Sequence, residues 1–403
     1  MNIKPVVSAL LRNRVGAVLV ALEIAIALAV LVNAAFIVGQ RIAAIEEPTG
    51  LDYHNMFSIT MAGVTSDFYA PRSARDDIAY IRSMHGVVSA APTGTIPMSG
   101  DGSNGTLYTE PGQRGKAAAY SVVETDEQGM STLGATLVGG RNFRTTEILQ
   151  ASRGQIDQPV PEIIVTQSLA RALFPEHGAL GQVVYDRQNR PMTIIGVVRD
   201  FIGQVGFGSP PYQVALVPRI PGAYGVYVCL VHTAPGRAES IMQLAEQHLA
   251  ASNPTRVILD AYPLDHYKDL LDSENRNMAI FLVVVTSLIL AITCLGIFGL
   301  TTFNVSTRTK QIGTMRAVGA RKRDVVTHFL LENAIIVASG VLIGCTLALG
   351  VGYWLSTEYA QPRLDMSFLA AGVLILVAVG QLAAWQPARR AASVPPSVAT
   401  RTV

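Results

Sequence analysis

The sequence predicts a membrane protein with four transmembrane α-helices plus a large mixed α+β extracytoplasmic domain inserted between the first and second helices. Three observations predict it. The apolar residues are gathered into four long runs, the basic residues are confined to alternate connections, and one connection is long enough to fold by itself. Half of the 403 residues are hydrophobic and only 15% are charged, whereas an ordinary soluble domain carries about 25% charged residues. The runs are Val15–Val38, Met278–Thr301, Asn333–Trp354 and Ser367–Trp385, of 24, 24, 22 and 19 residues. A helix needs about 20 mostly apolar residues to cross roughly 30 Å of hydrocarbon, so each run suffices.

The first element is a short cytoplasmic N-terminus, 1–14, leading into transmembrane helix 1 at 15–40. Lys4, Arg12 and Arg14 before an apolar run also fit a secretory signal, but signal cores run about 7–15 residues. This run is longer, so an uncleaved anchor is expected. Glu23 lies about eight residues inside it, an ionisable group where such groups are costly and usually face a protein interior or a polar cavity; a partner near the cytoplasmic side and simple snorkelling both fit that depth.

Residues 41–276 form the extracytoplasmic domain. Asn55–Met61 and Gly225–His232 are β-prone runs. Each is followed by a helical stretch, Ser73–Met84 and Ala238–Ala251, and then by another apolar run, Val87–Ala91 and Arg256–Ala261. Two strand–helix–strand halves are therefore expected to pair into one layered subdomain, with a second subdomain inserted at about 105–220. Within the insertion, strands are predicted at Ala117–Val123, Pro191–Val198 and Gln213–Val217, and a helix at Thr166–Leu173. Cys229 is the single cysteine of this domain, so no disulfide within it is available and a hydrophobic core must hold it. No His-Glu-x-x-His, Gly-x-Ser-x-Gly or Cys-x-x-Cys occurs, and no catalytic residue, metal ligand or cofactor-binding residue is assigned. From Asp265 to Asn277 the polar stretch enters the second run without Gly or Pro, which predicts one continuous helix from about Leu264 to Leu300. Gly39–Glu46 is its expected neighbour.

Transmembrane helix 2 (277–301), a cytoplasmic loop (302–332), helix 3 (333–354), an outer loop (355–366), helix 4 (367–385) and a cytoplasmic tail (386–403) complete the chain. Charge sets the orientation, because Lys and Arg are retained on the cytoplasmic side. The 302–332 loop holds Arg308, Lys310, Arg316, Arg321, Lys322 and Arg323 against Asp324 and Glu332, and the tail holds Arg389, Arg390 and Arg401. Residues 41–276 carry 18 Lys and Arg against 24 Asp and Glu, net −6, and the remainder carries 13 against 5, net +8. Both termini and the 302–332 loop are therefore expected inside.

Ser306–Glu332 reads as a short amphipathic helix with Ile312, Met315 and Val318 on one stripe, a turn at Gly319-Ala320, and a basic entry to helix 3. On physics alone a basic helix lying on anionic lipid fits equally well. The stretch resembles the signature of the MacB/FtsX-type ABC transporter permeases, E-R-T-x-E-I-G-x-x-R-A-[LV]-G-A, through Arg308-Thr309, Ile312-Gly313 and Arg316-Ala317-Val318-Gly319-Ala320. Pro387–Ala392 resembles that family's C-terminal motif. Gly139–Phe143, Glu162–Pro175, Gly181-Gln182 and Ile195–Asp200 resemble its periplasmic core domain. Thr307 and Gln311 stand where the family has acids.

The resemblance implies a permease subunit of an ABC transporter in a bacterial inner membrane, driving export or efflux. Arg308, Lys310, Gln311, Ile312, Gly313, Arg316, Ala317, Gly319 and Ala320 would form the contact with the ATPase. No G-x-x-x-x-G-K-[ST] occurs, so ATP and Mg are expected to be bound by a partner, a separate cytoplasmic ABC ATPase subunit. The other implied partners are a second permease, identical or related, a periplasmic adaptor and membrane lipid; nucleic acid is not among them. Alternatives are a lipoprotein-release or cell-division-type relative, or a membrane-anchored sensor or scaffold acting through a partner.

Overall fold

The computed structural model describes residues 14–150, 159–205, 210–222, 224–317, 319–358 and 363–393. Lys4, Arg12 and Arg401 lie outside them. The chain divides into a helical unit, up to Glu46 and from Glu274 onward, and a second unit, Glu47–Ser273.

In the second unit, β1 (Met56–Gly63), α2 (Ala70–Ser83) and β2 (Val87–Thr93) form the first strand–helix–strand half. The other half is β11 (Val226–Thr233), α5 (Ala238–Ser252) and β12 (Arg256–Pro263). The halves interleave in one antiparallel sheet, ordered β12-β1-β11-β2, with Ile59 opposite Cys229 on one side and Ala261 on the other. This is the split β-α-β-β-α-β arrangement. Side chains alternate faces along a strand. Phe57, Ile59 and Met61 accordingly pack with Ile78, Ile81, Ile241 and Leu249 from the two helices, while Met56 joins a core on the opposite face.

A polar network crosses the first core. The Arg256 guanidinium, with its side chain 1% exposed, pairs with Asp77, and Tyr227 donates to Asp77 Oδ2 at 2.5 Å. Arg256 Nη1 also donates to the Tyr227 hydroxyl at 2.7 Å and to Ser73 Oγ at 2.8 Å. Ser73 and Asp77 come from α2, Tyr227 from β11 and Arg256 from β12, so the network ties these three elements together.

The insertion between β2 and β11 is a second sheet. It contains β3 (Ser103–Glu110), β4 (Arg114–Thr125), β5 (Leu137–Gly140), β6 (Leu149–Gln150), β7 (Glu162–Thr166), β8 (Val183–Tyr185), β9 (Pro191–Val198) and β10 (Val214–Ile220), with two short helices, α3 (Gly129–Thr132) and α4 (Gln167–Leu173). The strand path β4-β3-β8-β9-β7-β10 is closed by pairing of β10 with β4, Leu216 opposite Val123. Closure removes two edges that would otherwise be open to other chains. Leu107, Ile163, Val165, Leu169 and Ile194 fill its interior. A cleft of about 560 Å³ opens beside β4 and β10, with Arg219–Glu124 and Arg190–Asp186 ion pairs, each at 2.6 Å, in its wall.

The helical unit contains α1 (Arg14–Glu46), α6 (Leu264–Thr307, whose first turns belong to the other unit), α7 (Thr309–Ala317), α8 (Lys322–Glu358) and α9 (Met366–Ala392). Four of these are long and apolar enough to cross a membrane. The helix expected from Leu264 is continuous to Thr307, about 66 Å at 1.5 Å per residue. The helices overrun their apolar runs because the flanking polar residues are themselves good helix formers. Thus α1 continues to Glu46, and α9 continues through Pro387 to Ala392. Near its C-terminal end α1 meets α6 through Arg41 Nη1, which donates to Asn275 Oδ1 at 2.8 Å.

Small residues bring α1 and α8 together. A Cβ at Gly340 would stand 2.7 Å from the Ala21 carbonyl oxygen, and one at Gly344 would stand 3.0 Å from that of Ala25. Four-residue spacing of small residues on both helices allows this backbone approach. Asn33 adds a bond across the same seam, its Nδ2 donating to Ala348 O at 3.1 Å.

Candidate functional site

The connection between α6 and α8 is almost wholly helical. A one-residue break at Arg308 separates α6 from α7, and Thr309 spans it by donating from Oγ1 to Ser306 O at 2.9 Å. At the far end of α7, Gly319 N donates to Arg316 O and Ala320 N donates to Met315 O, at 3.2 and 3.1 Å. This is a Schellman closure, and it requires the φ of +105° that Gly319 adopts without a Cβ penalty. The start of α8 is then capped by Asp324, whose carboxylate accepts from Arg321 N at 2.9 Å. The sequence thus writes both turns locally.

The inward side of α7 is held against its neighbours. Ile312 (3% exposed) sits in an apolar cluster with Val325 and Phe329 of α8 and Ala388, Ala391 and Ala392 of α9. Gly313 is buried beside it. Arg316 Nη1 donates to Ala392 O at 3.2 Å, so a cation neutralises carbonyl charge at the C-terminal end of α9. The C-terminal Pro-Ala-Arg-Arg-Ala-Ala stretch is therefore the last turns of a helix that supports α7.

Arg308 is also turned inward. Its Nη1 pairs with Glu332 Oε2 at 3.0 Å, and the Glu332 side chain is only 4% exposed. Around this pair lie buried Thr301, Asn304 and Asn333. Asn333 Nδ2 donates to Gly380 O at 3.0 Å and so extends the node to α9. Glu332, Asn304 and Asn333 were not singled out from the sequence. Their only signal is an acid and two amides at the edges of apolar runs, which periodicity alone reads as solvated ends.

Among the residues expected to form the contact with an ATPase, Arg308, Ile312, Gly313 and Arg316 therefore face other helices of this chain. Gly319 is exposed and Ala320 is half-buried. Lys310, Gln311 and Ala317 are in α7, and their side chains lie outside the described residues. Thr307, at one position where the resembled pattern has an acid, donates to Phe303 O of its own helix at 3.0 Å. The outward surface is made by Met315 (49% exposed), Gly319 and the exposed Arg321, Lys322 and Arg323. It is a short apolar knob beside a cluster of positive charge.

Glu23 lies far from this surface along α1. Its carboxyl abuts Gly296 of α6, where an added Cβ would meet Oε1 and Cδ at 3.1 Å. Among the described residues no group of three or more His, Cys, Asp and Glu side chains is arranged to hold a metal ion.

Residues 17–248 match the MacB-like periplasmic core domain, and residues 283–396 match the FtsX-like permease C-terminal region. The macrolide export ATP-binding/permease protein MacB of Chromobacterium violaceum is 26% identical over 277 residues, covering 65% of this chain and 42% of that protein. The chain thus spans well under half the length of that relative. The uncharacterized ABC transporter permease YknZ of Bacillus subtilis is 24% identical over 267 residues, 65% of each chain. The crystal structure of the periplasmic region of MacB from Actinobacillus actinomycetemcomitans aligns with 57% of this chain and 98% of its own, at 16% identity and a TM-score of 0.32. The first match alone takes in more than half of the chain. The chain belongs to the MacB/FtsX-type family of ABC transporter permeases.

Proposed function

We propose that this chain is the transmembrane subunit of an exporter, receiving ATP-driven motion from a separate cytoplasmic ATPase at residues 308–324 and passing it to residues 47–273 outside the cytoplasm. The observation that carries the reading is the two-sided character of α7. One side is clamped to the ends of α8 and α9 through Ile312 and Arg316, and the other leaves Met315, Gly319 and Arg321–Arg323 free of the bundle. A push on such a helix is delivered to three long helices at once, because Arg308–Glu332 binds the end of α6 to α8. ATP and Mg belong to the partner in this reading.

The positive 302–332 connection and the net −6 of residues 41–276 support an inner-membrane orientation with both termini inside. Export is supported by the likeness to MacB, a macrolide export ATP-binding/permease protein. A second permease copy, a periplasmic adaptor and contact with lipid complete the assembly. Affinity purification of the solubilised chain from its native membrane, with ATPase activity read on the eluate, tests the reading. The wild type is expected to bring down an ATPase that Met315→Glu loses while keeping its own thermal stability. A wild-type eluate without ATPase overturns it.

A further inference from the structure

Glu23 is the only Asp, Glu, Lys or Arg in the four apolar runs. It lies nine residues beyond Arg14, which at 1.5 Å per residue places it roughly 13 Å along the axis, close to the middle of a hydrocarbon core about 30 Å thick. A glutamate side chain is too short to bring its carboxyl to either surface from there. It is directed instead at α6, against Gly296, and its Oε1 is fully buried without a hydrogen-bond partner among the described residues. The apolar cluster that includes this stretch of α1 also contains Ile297, Val337 and Leu376, and Gly340 approaches Ala21 and Ile24; on α6, the Thr293 hydroxyl is given to Ile289 O at 3.0 Å. The other titratable groups on the apolar runs of α6 and α8 are the thiols Cys294 and Cys345 and the phenol Tyr353, all neutral at pH 7. Nothing described offers the carboxylate a counter-charge, and an unpaired charge in this setting is strongly disfavoured.

We propose that Glu23 is an intramembrane proton-binding site, occupied by a proton at neutral pH, in the seam between α1 and α6. The ligand of the site is the proton itself. Releasing it would place a charge against the backbone at Gly296, so proton occupancy sets how closely these two helices pack. The proposal is independent of which protein docks on α7.

Labelling of the full chain in native membranes with dicyclohexylcarbodiimide tests it. The reagent takes the carboxyl proton on nitrogen while the carboxyl oxygen adds to its central carbon. Rearrangement then leaves a stable N-acylurea, with no atom lost and no oxidant or reductant needed. Only a protonated carboxyl within the apolar phase reacts. Mass spectrometry is expected to find the adduct on Glu23 at neutral pH, where an ordinary glutamate at about 4.3 is long ionised. Glu23→Gln, which keeps size and shape, is expected to lose the adduct entirely. Absence of label at every pH would mean an ionised carboxylate paired with a cation from another subunit, and would overturn the proposal. Label appearing only below about pH 5 would mean a hydrated, ordinary carboxyl, and would overturn it equally.

Discussion

Arg308 and Glu332 meet at 3.0 Å, Nη1 to Oε2, across the whole α7 turn that separates them by 24 residues. The pair sits at the break between α6 and α7 and is almost fully removed from solvent on the glutamate side. Removing one member of a buried pair strands the other charge, which costs about 3–5 kcal/mol. Arg308→Ala is therefore expected to lower the thermal midpoint of the detergent-solubilised chain markedly, and Glu332→Gln to lower it less. Arg308→Met combined with Glu332→Leu removes both charges and is expected to recover most of the loss. An Arg308→Ala variant as stable as the wild type would show that the pair does not hold the break.

The α1–α8 seam makes a prediction with its own control. A side chain at Gly340 would drive into the Ala21 carbonyl and Ile24, whereas a Cβ at Gly350 on the same helix meets nothing within 4 Å. Overpacking of this kind costs about 1–3 kcal/mol. Gly340→Leu is expected to destabilise the chain in a thermal unfolding scan, and Gly350→Leu to leave it unchanged. Equal effects would mean that helix propensity, rather than close approach, governs both sites.

Tyr227 links Asp77 and Arg256 in the first core of the 47–273 unit. Losing one buried donor costs about 1–3 kcal/mol. Tyr227→Phe is expected to speed hydrogen exchange in β1, β11 and β12 together, because the network joins the two halves of that sheet. Acceleration restricted to β11 would contradict that linkage.

Acid should loosen the second sheet through Glu147. The Arg141 guanidinium at 2.8 Å and the Arg144 backbone N–H hold its carboxyl below the usual glutamate range. A carboxyl depressed in the folded state contributes stability that is fully present above its unfolded value of about 4.3 and is lost as pH falls through the folded one. Asp126 has the opposite sign, since burial raises its carboxyl despite Arg82 at 2.7 Å. Because Arg141 also pairs with Glu162 at 2.9 Å, the difference between wild type and Glu147→Gln is the one that isolates the Glu147 part. It is expected to be constant above about pH 5 and to shrink below about pH 4, read as hydrogen exchange around Leu137–Gln150. A difference independent of pH would contradict the assignment.

Much of this architecture is written locally in the chain. The four apolar runs, both strand–helix–strand halves and the Gly319 turn follow from run length, period and turn chemistry; the structure places the two halves within a few residues of their expected positions, whereas the long helices extend beyond the runs, α8 beginning at Lys322 and α1 ending at Glu46. The second sheet was less legible. β3, with Ser103, Asn104 and Gly105, lacks the β-branched pattern of a strand, and β8 has three residues; both exist because the neighbouring strands pair with them. The direction of the basic residues was not legible at all. Arg308 and Arg316 look like free charges in sequence, and only the long-range packing of α8 and α9 supplies Glu332 and the Ala392 carbonyl as their partners. The exposed knob at Met315 had no signal beyond its place on an apolar stripe.

Docking of an ATPase on the outward surface of α7 is open to cross-linking in native membranes. Met315→Cys, in a chain whose three native cysteines are replaced, is treated with a short thiol-to-amine reagent with and without ATP. A cross-link to one polypeptide that binds ATP is expected, with a yield that changes when ATP is added. Tyr353→Cys, toward the other end of α8, should capture no such polypeptide. Capture of no ATP-binding polypeptide at Met315→Cys, or equal capture from both positions, would contradict it.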